Sequence, residues 1–150
     1  MREIRTDILI QASKKAIWSA LTDFEHFPEW NPFITRIRGT ATLGDTVRFH
    51  AHVNGRLFKF AAKVRRCDEG KNLTWGAPDN PLLAALFAGE HYFTIEELSP
   101  EQCRFIHGER FSGVVAHAMW SQIRLAKQAY LAMNEALKQR VECPIQTIQD

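Results

Sequence analysis

Cysteine is scarce and scattered. Cys67, Cys103 and Cys143 are odd in number and far apart, with no Cys-x-x-Cys spacing. That argues against a disulfide framework or a thiolate zinc site. Net charge is nearly absent, since 19 Lys and Arg against 17 Asp and Glu leave +2. The electrostatic footprint that nucleic acid demands is therefore not expected. No apolar run is long enough to span a membrane as a helix. The opening Met1-Arg2-Glu3-Ile4-Arg5 lacks the apolar core of a secretion signal. A reduced, cytoplasmic setting is the expectation. The eight glycines are dispersed at turns, so no glycine-rich phosphate loop is built. No Ser-His-Asp arrangement can be read from spacing. No cofactor and no resident metal are expected.

What is present suffices for one domain. The 150 residues are 45% hydrophobic, and a chain of this size buries roughly 70% of its unfolded surface. The expected core runs over about residues 3–141, with a tail at 142–150. The dominant pattern is a helix at roughly 117–141. Met119, Ile123, Ala126, Tyr130, Met133 and Leu137 recur there at spacings of four and three, which places them on one face. Lys127, Glu135, Lys138 and Gln139 lie mostly off that stripe. Pro144 cannot continue the helix and disfavours helical geometry at Cys143.

Upstream, alternation of apolar and polar residues predicts strands at 3–10, 34–42, 46–53, 58–65, 73–75, 90–98 and 104–111. Asn54-Gly55 predicts a tight hairpin. Ser13 can cap a helix running to about Thr22, and Asp23 a further turn at 24–27. Pro28 and Pro32 predict an extended path through Glu29, Trp30 and Asn31. Asn80 followed by Pro81 predicts a short apolar helix inside the connection at 78–88. Short antiparallel connections imply a meander, with one long helix laid against a curved sheet. Arg48, Lys59, Lys63 and Arg65 sit opposite the apolar series and read as the solvated outer face.

The run Ile17-Trp18-Ser19-Ala20-Leu21-Thr22-Asp23, with the Pro28-Glu29-Trp30-Asn31-Pro32 corner and the Gly44-Asp45 turn, resembles the START/SRPBCC superfamily in its polyketide cyclase/dehydrase-like branch. Leu73-Thr74-Trp75-Gly76 and His107-Gly108-Glu109-Arg110-Phe111-Ser112-Gly113 carry the same likeness. The resemblance implies an α+β helix-grip fold: a curved antiparallel β-sheet wrapped around a long C-terminal α-helix, with two short helices after the first strand. It also implies a cavity between helix and sheet that takes apolar small molecules or lipids.

Two stretches carry candidate chemistry. The connection at 78–88 is long and apolar, which suits a flap over a cavity mouth, a membrane or partner contact, or packing against the sheet. The second candidate is polar. His91 alternates with Phe93 and Ile95, and His107 and Glu109 alternate with Phe105 and Phe111. A buried face selects its apolar series, so these residues are carried inward. This requires an odd number of unpaired residues around Ser99-Pro100-Glu101-Gln102. Two imidazoles and a carboxylate suit acid–base work or orientation of a ligand carbonyl or hydroxyl; a hydrogen-bonded structural pair is the bland alternative.

The expected function is binding of a small hydrophobic or lipid-like ligand. The expected lining is Phe49, Phe60, Trp75, Phe93 and Phe105 from the sheet, and Met119, Ile123 and Met133 from the helix. Trp30, Leu82, Leu86 and Phe87 are expected near the mouth, and His91, His107 and Glu109 at the polar end. The alternative is an enzyme, cyclase, dehydratase or hydrolase-like, acting on an apolar carbonyl substrate through His91, His107 and Glu109. A third is an interaction module with a filled interior. Partners are expected to be a small hydrophobic molecule or lipid, without nucleic acid. Monomer and homodimer both stay open.

Overall fold

The computed structural model describes residues 1–143. Pro144 and the rest of the expected tail lie outside the described residues. One curved antiparallel sheet holds seven strands in the order β1-β7-β6-β5-β4-β3-β2. These are β1 (Arg2–Ile10), β2 (Ile34–Arg38), β3 (Thr46–Val53), β4 (Arg56–Asp68), β5 (Asn72–Ala77), β6 (Ala88–Ser99) and β7 (Gln102–Ser112). Each alternating series found a strand, although β2 stops at Arg38 and β4 extends at both ends. Asn54 and Gly55 turn the β3–β4 hairpin with φ of 50° and 74°. Both angles lie in the left-handed region that such a two-residue turn requires.

Helix α1 (Lys14–Thr22) starts where Ser13 Oγ accepts from the Ala16 amide. The next segment departs from expectation. A 3-10 turn (Phe24–His26) leads into α2 (Phe27–Trp30), so Glu29 and Trp30 are helical. Pro28 falls in the first turn of α2, where its missing N–H is not needed. Asp23 does not cap this turn; its carboxylate bonds His26 Nδ1 instead. The Asn31 side chain accepts from the amides of Phe33 and Ile34, and this steers the chain into β2.

The long helix is segmented and begins earlier than expected. It comprises α4 (Val114–Ala118), α5 (Trp120–Ile123), a 3-10 turn (Arg124–Ala126) and α6 (Lys127–Glu142). Tyr130, Met133 and Leu137 are fully packed, whereas Met119 is 50% exposed and Ile123 and Ala126 are half-buried. The stripe reports which face turns inward, not whether a packed neighbour holds every turn straight. Helix α3 (Pro81–Leu86) forms as expected, capped by the Asn80 side chain on the Leu82 and Leu83 amides.

The β6–β7 register carries the largest consequence. Ser99 pairs with Gln102 across the two-residue tip Pro100-Glu101. Continued without interruption, that register would set His91 opposite Arg110 and turn Glu109 to the other face. The register shifts between Glu97 and Ser99, leaving Leu98 as the extra residue of a bulge. Beyond it His91 pairs with Glu109 and Phe93 with His107. The odd unpaired count is thus reached by an even tip plus one bulged residue. Among the described residues, no helix is long and apolar enough to cross a membrane.

Below α6 the interior is solid, with Ile10, Ile17, Leu21, Phe27, Phe105, Met133 and Leu137 all inaccessible to solvent. Leu137→Ala is expected to cost about 2–5 kcal/mol through lost transfer energy and a residual cavity. Leu131→Ala, on the exposed side of the same helix, should change stability by less than about 0.5 kcal/mol. Urea unfolding of both variants measures the difference.

Candidate functional site

A cavity of about 410 Å³ lies between the sheet and the α4–α6 segment. Phe33, Phe49, Phe60, Trp75 and Phe111 form aromatic walls, and Met119, Ile123, Ala126 and Tyr130 cover them from the helical side. Phe58 and Phe60 belong to the inward series yet are 41% and 48% exposed, because the cavity opens beside them. Of the expected lining, Phe49, Phe60, Trp75, Phe87, His91, Glu109, Met119 and Ile123 border this space.

Seven expected lining residues do not border it. Phe93, Phe105, His107 and Met133 are completely buried in the layer beneath the cavity. They occupy inward positions, but there helix and sheet are in full contact. Trp30 packs edge-on against Phe27, with ring centroids 5.2 Å apart. Leu82 and Leu86 are 81% and 52% exposed on α3, so of the apolar connection Phe87 reaches the cavity.

The polar end is a continuous hydrogen-bonded chain. Thr6, directly opposite His107 in the β1–β7 pairing, bonds the His107 carbonyl oxygen at 2.7 Å. Asn134 Nδ2 reaches Thr6 Oγ1 at 2.8 Å, and Asn134 Oδ1 lies 2.8 Å from His107 Nδ1. His107 Nε2 is 2.7 Å from His91 Nε2, and His91 Nδ1 is 3.2 Å from Glu109 Oε2. The Tyr130 hydroxyl donates a hydrogen bond to that same oxygen.

Donor and acceptor counting sets the direction of each bond from Thr6 to His91. Thr6 has one hydroxyl hydrogen and gives it to a carbonyl, so its oxygen accepts from the Asn134 amide. Asn134 Oδ1 therefore faces His107, whose Nδ1 must carry a hydrogen. Burial and the neighbouring His91 hold the His107 pKa well below the ordinary 6.5. His107 is then neutral near pH 7, its Nε2 is bare, and His91 must donate from Nε2. A neutral His91 would turn a bare Nδ1 toward Glu109. One proton is consequently required between His91 Nδ1 and Glu109. An imidazolium facing a carboxylate and an imidazole facing a carboxylic acid both satisfy it.

The other oxygen, Glu109 Oε1, has no hydrogen-bond partner among the described residues. It lies against Gly89, where a Cβ would come within 2.7 Å. Gly89 thus leaves room for the carboxylate. The Trp75 Nε1–H is also buried without a partner among the described residues. The arginines of β7 do not neutralise Glu109. Arg110 meets Glu3 and Glu90, and Arg104 meets Asp7 and Glu96. His91 uses both ring nitrogens on protein partners, and among the described residues no group of three His, Cys, Asp or Glu is arranged for a metal ion.

Sequence reasoning missed Thr6, Phe33, Tyr130 and Asn134 as members of this region. The available signals were a threonine within an inward isoleucine series and a Tyr–Asn pair four residues apart on the helix.

This architecture is the helix-grip fold. The chain belongs to the family described as polyketide cyclase / dehydrase and lipid transport, whose model matches residues 1–142. It is similar to the Zhui aromatase/cyclase from Streptomyces sp. R1128 at 13% identity, over 94% of this chain and 93% of that one, with TM-score 0.74. A START superfamily protein from Mycobacterium smegmatis matches at 22% identity over 93% and 97%, with TM-score 0.71. Norcoclaurine synthase from Thalictrum flavum, in complex with dopamine and hydroxybenzaldehyde, matches at 14% over 94% and 86%, with TM-score 0.68. These likenesses establish the fold. No curated protein matches the sequence.

Burial of neutral His107 sets a pH dependence. The unfolded chain takes up a proton below about pH 6.5, and the native state does so only far lower. The unfolded state therefore binds more protons as pH falls, and this contribution to stability, complete above pH 6.5, is lost below it. His107→Gln should flatten the change in urea midpoint between pH 7.5 and 5.5. Nitrogen-15 spectra of the imidazoles near pH 7 should show His107 protonated at Nδ1 alone and His91 protonated at Nε2.

Proposed function

We propose that the cavity binds a small, mainly apolar molecule whose hydroxyl or carbonyl group lies against Glu109 and His91. The carrying observation is the pairing of an aromatic-walled space of about 410 Å³ with one polar end formed by Glu109, His91 and Tyr130. The volume falls within the usual range for ligand sites, and convergent polar groups fix orientation in such pockets. Family membership, with its description of cyclase, dehydrase and lipid transport roles, supports the same reading.

Paired probes test it. 2-Naphthol should bind about ten-fold more tightly than naphthalene, since a hydrogen bond to a charged group contributes about 1.5–3 kcal/mol. Glu109→Gln should erase most of that preference, and Ala126→Trp should block both probes by filling the cavity. Equal binding of both probes to all three proteins, measured by fluorescence titration, would remove the reading.

A second reading is favoured by the single proton held between His91 and Glu109. A carboxylate whose Oε1 is unpartnered beside the cavity can accept a proton from a bound substrate, and the His91 side can hold or return one. This suits acid–base chemistry on an apolar carbonyl compound, as in a cyclase, dehydratase or hydrolase-like reaction. Two of the structurally similar proteins are enzymes by name, an aromatase/cyclase and a synthase. For any carbonyl substrate identified, Glu109→Gln should lower kcat by about 10²–10⁴-fold. Retention of full turnover in that variant would leave only the binding role.

A further inference from the structure

We propose that the outer face of β2, β3 and β4 is a binding site for phosphoryl groups. Arg36, Arg38, Arg48, His50 and Lys59 line an open trough of about 540 Å³ there. Register makes this arrangement costly. Arg38 lies directly opposite Arg48, Arg36 opposite His50, and His50 opposite Lys59. Like charges facing each other across strands, as Arg38 and Arg48 do, destabilise a sheet.

Beyond the trough several cations of the outer face sit in ion pairs, although Arg5 on β1 has no acidic partner within 4.0 Å among the described residues. Arg65 meets Asp79 and Glu90, Arg104 meets Asp7 and Glu96, and Arg110 meets Glu3 and Glu90. Among the described residues Arg36, Arg38, Arg48 and Lys59 have no acidic partner within 4.0 Å. Strands β2 and β3 contain no Asp or Glu, and the acid of β4, Asp68, stands at its far end bonded to Arg66. A solvated face needs no such segregation.

Three guanidinium groups on adjacent strands offer several planar forks, more than one carboxylate can fill. A phosphate monoester brings up to two negative charges and three acceptor oxygens, which suits this set. The trough and the apolar cavity share Phe49, Phe60 and Ala61. The two sites therefore use the same pair of strands, and neither reading depends on the other.

The test titrates inorganic pyrophosphate into the full chain at low salt and follows backbone amide shifts. Saturable shifts centred on β2–β4 are expected. R36Q/R38Q/R48Q should weaken them at least ten-fold, whereas R104Q/R110Q should stay within two-fold of the parent. R38K/R48K keeps charge and fold but removes the forks, and should weaken binding several-fold. Vesicles of phosphatidylcholine with and without phosphatidic acid separate the sources. Binding to phosphatidic acid that is lost in R36Q/R38Q/R48Q identifies a lipid phosphate, and binding of pyrophosphate alone identifies a soluble one. Absence of saturable binding to either probe, equal affinity for an oligoglutamate of matched charge, or equal loss in R104Q/R110Q would overturn the proposal.

Discussion

The hydrogen-bonded chain from Thr6 to Tyr130 is the constraint on which the rest of the interior depends. It ties β1, β6, β7 and α6 together through groups that, apart from Glu109 at the cavity edge, are withdrawn from water. Apart from Glu109 Oε1 at the cavity edge, each member has a hydrogen-bond partner, and a single misdirected bond would leave a buried polar atom unmet. Bond direction propagates from one hydroxyl hydrogen on Thr6 to the protonation of a pair more than one side chain away. The sheet register must respect this chain. A one-residue shift of β6 would turn His91 out of the interior, and one of β7 would turn out His107 and Glu109.

Packing along the helical side divides the molecule into a solid end and an open end. Tyr130 marks the border. Its ring stacks on His107, with centroids 4.7 Å apart, while its hydroxyl meets Glu109 at the cavity edge. Below it, Met133 and Leu137 fill all available space; above it, Ala126, Ile123 and Met119 leave volume unfilled. The segmented backbone of α4, α5 and the adjoining 3-10 turn follows that division. A helix holds its geometry where neighbours pack on it, and the upper turns have the cavity as their neighbour. The polar groups of the site are thus anchored in the rigid half and face the open half, an arrangement that suits ordered placement of a guest.

Charge follows its own division. The outer face over β5 to β1 and the far half of β4 holds many ion pairs, but over β2, β3 and Lys59 of β4 it gathers cations without acidic partners. A net charge of +2 conceals this, because sums over the chain erase spatial segregation. The same two strands, β3 and β4, carry apolar aromatic residues inward and basic residues outward, each face at the period of two that a strand imposes.

Much of this protein was legible in its sequence because short-range periodicity has one physical cause. Alternation at β1, β3 and β6, the Asn54-Gly55 turn, the Ser13 and Asn80 caps and the helical stripe from Met119 to Leu137 each follow from backbone geometry and local hydrogen bonding. Alternation also determined that His91, His107 and Glu109 travel inward with their aromatic neighbours. It could not say where along the inward face the interior is full. Phe93, Phe105 and Met133 share their face with Phe49, Trp75 and Met119, yet the first three are sealed in the core and the others line the cavity. Only the tertiary structure decided that, because the separation of helix from sheet depends on every contact between them. The Leu98 bulge and the union of Thr6, Asn134 and His107 arose in the same way. They join residues more than a hundred positions apart in one case, and depend on pairing that no local pattern encodes.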